Sequence, residues 1–205
     1  MKKKIGETSY RETALGIIPR SKLIPLEIEG ITKAWDFVLQ KYQKGKIPLS
    51  TALLKELHRI GFAWIFPKEA GQFRKVELQV SRHLPPKHYL IPELMENFVE
   101  DLKVRIKNFP SDKDDHFIPR LIDLLAWTHH RFLWIHPFFD YNGRIGRLLM
   151  NIVLLNFDLP PIELHVETAV GRKKYVKALQ EADRADFTAL EQLIESALKE
   201  SARVV

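Results

Sequence analysis

The sequence predicts a mainly α-helical (all-α) bundle carrying one small β-hairpin flap, on three observations. Apolar residues recur at helical spacing along most of the chain. Only one stretch, with Val76, Leu78 and Val80 alternating with Glu77, Gln79 and Ser81, keeps a period of two. The two most apolar stretches, Ile118 to Trp134 and Leu148 to Leu155, flank a short polar loop, and no charge falls between Arg147 and Asp158. A lone hairpin cannot form a sheet core, so it must lie on the helical body.

The elements follow in order. Residues 1 to 24 read as an extended or partly ordered lead-in, basic at Met1–Lys4 and broken by Gly6, Gly16 and Pro19. A helix is expected to start at Pro25, which suits a first turn, and to run to about Tyr42 over Ile31, Ala34, Trp35, Val38 and Leu39. Gly45 to Pro48 turns the chain, and Ser50 caps a helix over Leu53, Leu54, Leu57 and Ile60. Gly61, Pro67 and Gly71 break helix before the flap, expected from Arg74 to His83 and ended by Pro85-Pro86. Leu90 to Lys107, with Leu94, Phe98, Leu102 and Ile106 four apart, is helical. The two apolar helices come next, and Pro160-Pro161 stops the second. Arg172 to Asp183 and Phe187 to Ala202 complete the bundle. No repeat or internal linker divides the chain, so residues 25 to 203 are read as one domain.

Composition sets bounds rather than a function. Of the 205 residues, 45% are hydrophobic and 28% charged, as in an ordinary globular protein. No apolar run reaches the roughly 18 residues of a membrane span. The Lys triplet lacks a following apolar region, so no signal peptide is expected, and the absence of cysteine fits a reducing cytoplasm. The net charge of +6 raises nucleic acid as a partner, but the basic residues are scattered, and a polyphosphate site accounts for them equally well. His129, His130 and His136 lie close in sequence without zinc-ligand spacing.

The loop is His136-Pro137-Phe138-Phe139-Asp140-Tyr141-Asn142-Gly143-Arg144-Ile145-Gly146-Arg147. Each polar residue has an ordinary explanation alone: a cap, a turn, a solvated arginine. Crowded into twelve residues between buried helices, they point to a ligand. Asn142-Gly143 opens the second helix, where free N–H groups and the helix dipole favour an anion. Arg144 and Arg147, three apart, project from the first turn on one side and suit a di- or triphosphate. Asp140 is placed to hold Mg²⁺, which needs only one or two carboxylates beside phosphate oxygens. His136 is a general base for neutral pH.

The pattern His136-Pro137-Phe138-x-Asp140-x-Asn142-Gly143-Arg144-x-x-Arg147 resembles the signature of the Fic family, His-x-Phe-x-(Asp/Glu)-Gly-Asn-(Gly/Lys)-Arg-x-x-Arg. The resemblance extends to Ala126-x-x-His129-x-x-Phe132, to Ala70-Gly71-Gln72-Phe73-Arg74 and to Tyr175-x-x-Ala178-Leu179-x-x-Ala182, covering roughly residues 25 to 200. The layout is also similar to the small branch called mobile mystery protein B. The resemblance implies AMP transfer from ATP to a Ser, Thr or Tyr hydroxyl of a target protein. His136 is then the base and Asp140 the Mg²⁺ ligand. Asn142 and Gly143 serve the α-phosphate, Arg144 and Arg147 the outer phosphates, and Phe138 is an anchor beneath the loop. The flap residues Val76, Leu78 and Val80 are expected to pair with an extended target segment. An antitoxin or helix-turn-helix partner is compatible with it. Neither the target nor the oligomeric state is legible.

Two departures from the family pattern matter. Tyr141 stands where the family has Gly, and a Tyr at positive φ costs about 1 kcal/mol or more. Its ring is also expected to crowd the phosphate, with Tyr141→Gly raising turnover. Many Fic proteins carry an inhibitory Ser/Thr-x-x-x-Glu-(Gly/Asn) helix whose Glu pairs with the second motif Arg. Glu29-Gly30 is similar, with Pro25 at the Ser/Thr position, so residues 25 to 42 are read as an inhibitory helix and Glu29 as the residue facing Arg147. The alternatives are a different phosphoryl-type transferase on the same scaffold and a weakened nucleotide- or partner-binding module. Gly143, where Doc-like phosphotransferases carry Lys, argues against the first, and Tyr141 supports the second.

Overall fold

At the centre, α4 (Phe117–Ile135) and α5 (Asn142–Asn156) pack against each other, joined by the polar loop. This computed structural model describes residues 10 to 203 apart from Arg82. The remaining helices are α1 (Arg20–Tyr42), α2 (Thr51–Phe62), α3 (Ile91–Lys107), α6 (Ala169–Ala182) and α7 (Thr188–Ser201), with a single 3₁₀ turn at His88–Leu90. The expected helical bundle is thus present. Helix α4 rests on α3, α5 and α7, while α1 packs on α2 and reaches α5. The uncharged run in α5 has the consequence its composition implies: Leu148 to Met150 and Ile152 to Leu155 are all buried. Ser50 caps α2 as expected, its side chain accepting from Leu53 N–H at 3.0 Å.

Three asparagines brace α5 against the rest of the chain. Each closes a pair of hydrogen bonds onto the N–H and C=O of a single residue: Asn142 onto Phe138, Asn151 onto Ile162 and Asn156 onto Ile47. A side-chain amide presents an N–H donor and a C=O acceptor side by side, so it can replace a missing backbone partner. The helix thereby fixes the loop before it, the segment after it and the α1–α2 connection.

Three expectations change. Helix α1 starts at Arg20, not Pro25, and so runs through the boundary read between residues 24 and 25. Pro25 lies one turn inside the helix and sacrifices only the bond to the Ser21 carbonyl. Ahead of α1, β1 (Tyr10–Thr13) and β2 (Gly16–Pro19) form an antiparallel hairpin with Thr13 opposite Gly16. Gly16 supplies the positive φ of the turn, and Ala14 N–H ties it to Ile65 O at 3.0 Å. Residues 1 to 9 of the lead-in lie outside the described residues.

The predicted flap hairpin shrinks to one isolated antiparallel bridge between Val80 and His83, closed by a turn in which Ser81 has φ 56°. No ladder continues from it among the described residues, because the carbonyls of Val76 and Pro86 are taken by the Arg74 guanidinium. Helices α1 and α2 cross closely at two glycines, and a Cβ on Gly30 would strike the Gly61 carbonyl. Gly30 is therefore explained by packing. No helix among the described residues is long and apolar enough to cross a membrane.

Candidate active site

The loop occupies the wall of a cavity of 680 Å³ that also takes in the flap and one face of α6. That size suits a nucleotide-sized ligand. His136, Asp140, Asn142, Gly143, Arg144 and Arg147 all line it, so the structure brings the sequence-predicted motif residues to one place. Leu78 and Val80 of the flap line it as well, whereas Val76 stands about half exposed outside that lining.

His136 closes α4 in the left-handed conformation, φ 50°. Its Nδ1 lies 3.3 Å from the Leu133 carbonyl, which can only accept, so Nδ1 carries the proton and Nε2 keeps its lone pair. Burial, with smaller contributions from Arg74 and His83, lowers its pKa to about 4 despite the Leu133 bond. The imidazole is therefore unprotonated at neutral pH. Its carbonyl accepts from Arg74 Nε at 2.8 Å, and Arg74 N–H donates to Pro137 O at 2.8 Å. The same Arg74 side chain is wholly buried and donates to Val76 O at 2.8 Å and Pro86 O at 2.6 Å. One arginine thus ties both ends of the flap to the histidine.

Beneath the loop, Phe138 is fully buried and stacks on His58 at 4.1 Å, which agrees with its expected role as an anchor. His58 is also buried. Gly71 N–H donates to its Nδ1 at 3.0 Å, so its Nε2–H donates to Asp140 O at 3.1 Å. Both ring nitrogens are satisfied by the neutral form, and burial lowers the pKa to about 4. Asn142 spends its amide on Phe138 at 2.9 Å in both directions, which makes its side chain a brace of the loop rather than a phosphate ligand. The groups this helix start leaves suited to an anion are the backbone N–H donors of Asn142 and Gly143, which have no i−4 acceptor.

The motif cations differ. Arg147 stands over the first turn of α5, its Nη1 3.5 Å from where a Gly143 Cβ would be. It sits beside buried Tyr175, whose hydroxyl is 2.6 Å from His129 Nε2. Burial raises Tyr175 to about 12 against the pull of Arg147, and burial lowers His129 to about 3. His129 is thus a neutral core residue, and no cluster of three or more His, Cys, Asp or Glu that could hold a metal occurs among the described residues. Arg144 is claimed by an acidic residue the sequence reading passed over: Glu27 Oε2 lies 2.6 Å from its Nη2.

Glu29 does not reach Arg147. It is exposed and pairs with Lys33 at 2.6 Å along α1. Glu27 and Glu29 are two apart, so they point to nearly opposite sides of the helix. The signal was present: Glu27 falls on the stripe Leu23, Gly30, Ala34 and Val38 that faces inward. Tyr141 does adopt positive φ, 58°, so the anticipated cost applies. Its ring, however, stacks on Phe62 at 4.0 Å and 4°, and its hydroxyl donates to Glu27 Oε1 at 2.6 Å. The ring is turned into the core, and the expected crowding of the phosphate has no support in this geometry.

A family model described as Fic/DOC matches residues 48–154. The chain is 29% identical over 179 residues to the protein adenylyltransferase Fic of Nematostella vectensis, a match covering 86% of this chain and 38% of that protein. A Fic-domain signalling protein from Bacteroides thetaiotaomicron superposes with TM-score 0.71 at 22% identity, over 85% of this chain and 68% of that one. The BepC protein of Bartonella tribocorum with bound AMPPNP superposes with TM-score 0.65 at 17% identity, over 94% and 93%. These two share the fold. The chain spans about two fifths of the length of the curated relative.

Proposed function

This chain belongs to the Fic/DOC family, and from that premise we propose that it is a protein adenylyltransferase, moving AMP from ATP to a hydroxyl of a target protein. The observation that carries the proposal is the meeting, in one cavity, of an unprotonated His136 with the donor-rich start of α5 and two arginines. The relatives' name and the AMPPNP bound to a neighbour of the same fold support it.

The chemistry follows from these groups. A Ser, Thr or Tyr hydroxyl beside His136 loses its proton to Nε2 as its oxygen bonds to the α-phosphorus. The bond from that phosphorus to the bridging oxygen breaks, and pyrophosphate departs with its electron pair. The α5 N–H groups face the charge that develops on the α-phosphate, and Arg144 and Arg147 face the outer phosphates. Asp140 is the residue that would hold Mg²⁺. Its carboxylate lies in the cavity wall and Oδ1 accepts from Tyr141 N–H at 2.6 Å. A lone carboxylate suits an ion that takes its other ligands from phosphate and water and offsets their charge. The flap around Leu78 and Val80 would pair with an extended target segment and so hold its hydroxyl near His136.

Incubation with α-labelled and γ-labelled ATP, in lysate, tests the reading. Transfer of the α-label with loss in His136→Ala is expected, with the modified residue identified by mass spectrometry. Transfer of the γ-label alone would establish a phosphotransferase, and binding without transfer a recognition module.

A further inference from the structure

Arg144 is held in a way its motif role does not require. Glu27, 1% exposed, sits on α1, far from the motif in sequence. Its two oxygens are both taken, Oε1 by the Tyr141 hydroxyl and Oε2 by Arg144 Nη2, each at 2.6 Å. The guanidinium lies 5.4 Å from the Tyr141 ring centroid, and Tyr141 is itself clamped on Phe62. Arg144 Nη1 is sealed in the wall with no acceptor among the described residues, while the side chain as a whole is 23% exposed and lines the cavity. A charged side chain held on one side and presented to a cavity on the other is placed to meet an anion.

We propose that Glu27, with the Tyr141 hydroxyl, is a positioning residue that fixes the Arg144 guanidinium so that its cavity-facing edge meets an outer phosphate of a nucleoside triphosphate. The carboxylate makes one charge-assisted bond to Arg144 and sets the plane of the fork, and the aromatic ring beneath limits its swing. Tyr141 thereby supplies an oriented hydroxyl, which a glycine at this position cannot. The sign of the Tyr141 expectation reverses: shortening this residue loosens Arg144 instead of opening the phosphate site. Glu29 takes no part, since Lys33 holds it at the surface.

The inference rests on the adenylyltransferase reading of the cavity, and calorimetric binding separates the two. The probes are ATP, AMP and inorganic tripolyphosphate, with Glu27→Gln and Tyr141→Phe compared with the unaltered protein. Glu27→Gln presents an amide where Arg144 needs a carboxylate, so its Kd for ATP and tripolyphosphate is expected to rise about tenfold, while that for AMP stays within about twofold. Tyr141→Phe keeps the stack on Phe62 and is expected to shift the same two ligands about threefold. This selectivity for outer phosphates is a readout that a merely structural role does not move. Unchanged or tighter ATP binding by both variants, or equal losses for AMP and ATP, overturns the proposal. If Glu27→Gln fails to fold, Tyr141→Phe decides alone by the same criterion. Selective binding losses in a protein that transfers no AMP would leave the positioning role standing and sink the enzyme reading.

Discussion

The motif loop and the flap both line one cavity, yet they are held by different means. The loop from His136 to Asn142 is braced from below by Phe138 and His58, across itself by Asn142, and from α1 through Glu27 and Tyr141. Among its described residues the flap has one bridge, Val80 to His83, and one buried arginine. His83 adds a contact to Trp134 O at 2.9 Å, and Glu77 pairs with His88 at the exposed end. The contrast separates two demands. Phosphate positioning needs fixed donors, because small misplacements are costly to rate. Accepting an extended target needs free backbone and little cost to rearrangement.

The largest break in this contrast comes from pH. His58 and His129 are buried and neutral, with folded pKa values of about 4 and about 3 against an ordinary 6.5. Because folding depresses these pKa values, the stability they contribute is full above pH 6.5 and is lost as pH falls toward 4 and below. Several kcal/mol should disappear across that window. Urea unfolding at stepped pH values checks this, and His58→Gln should flatten the upper part of the curve. Hydrogen exchange should show the loop and α4 losing protection with acid before the flap changes further.

Arg74→Ala comes next, because it strikes both regions at once. It removes three donors to backbone carbonyls, and about 3 kcal/mol of stability should go with them. Limited proteolysis should then cut between residues 75 and 86 faster than in the unaltered protein. Asn142→Ala is confined to the loop and should cost about 2 kcal/mol, with the proteolysis of the flap unchanged. The smallest effect belongs to the flap edge. Val80→Ser at a partly exposed position should move stability by less than about 0.5 kcal/mol. It should still raise KM for a protein target while leaving ATP affinity alone, which steady-state kinetics with purified target would reveal.

Much of this was legible in the residues. The uncharged run after Arg147 implied a buried helix, and Ser50 announced the start of α2. The resemblance to Fic proteins placed the motif residues at one site. The failures have physical causes. Pro25 tolerates an internal position near a helix start, so it did not mark the N-terminus of α1. The period-two pattern of Val76, Leu78 and Val80 reports side-chain alternation but not who takes the carbonyls, and Arg74 takes those of Val76 and, at the far end of the flap, Pro86. Between Glu27 and Glu29, the resemblance favoured the one beside Gly30. The phase of the apolar stripe favours the other, and Gly30 answers to a helix crossing.

The Glu27–Arg144 contact sets a lower limit on what can be cut away. The segment matched by the family model, 48–154, contains the whole signature, yet the carboxylate on Arg144 comes from α1 and the hydroxyl beside Arg147 from α6. A fragment trimmed to the signature would keep every motif residue while stranding both arginines and baring the apolar flank of α5. Sequence identity within the signature and competence of the site are therefore separable, and their dependence on distant helices is where divergent members of such a scaffold can change.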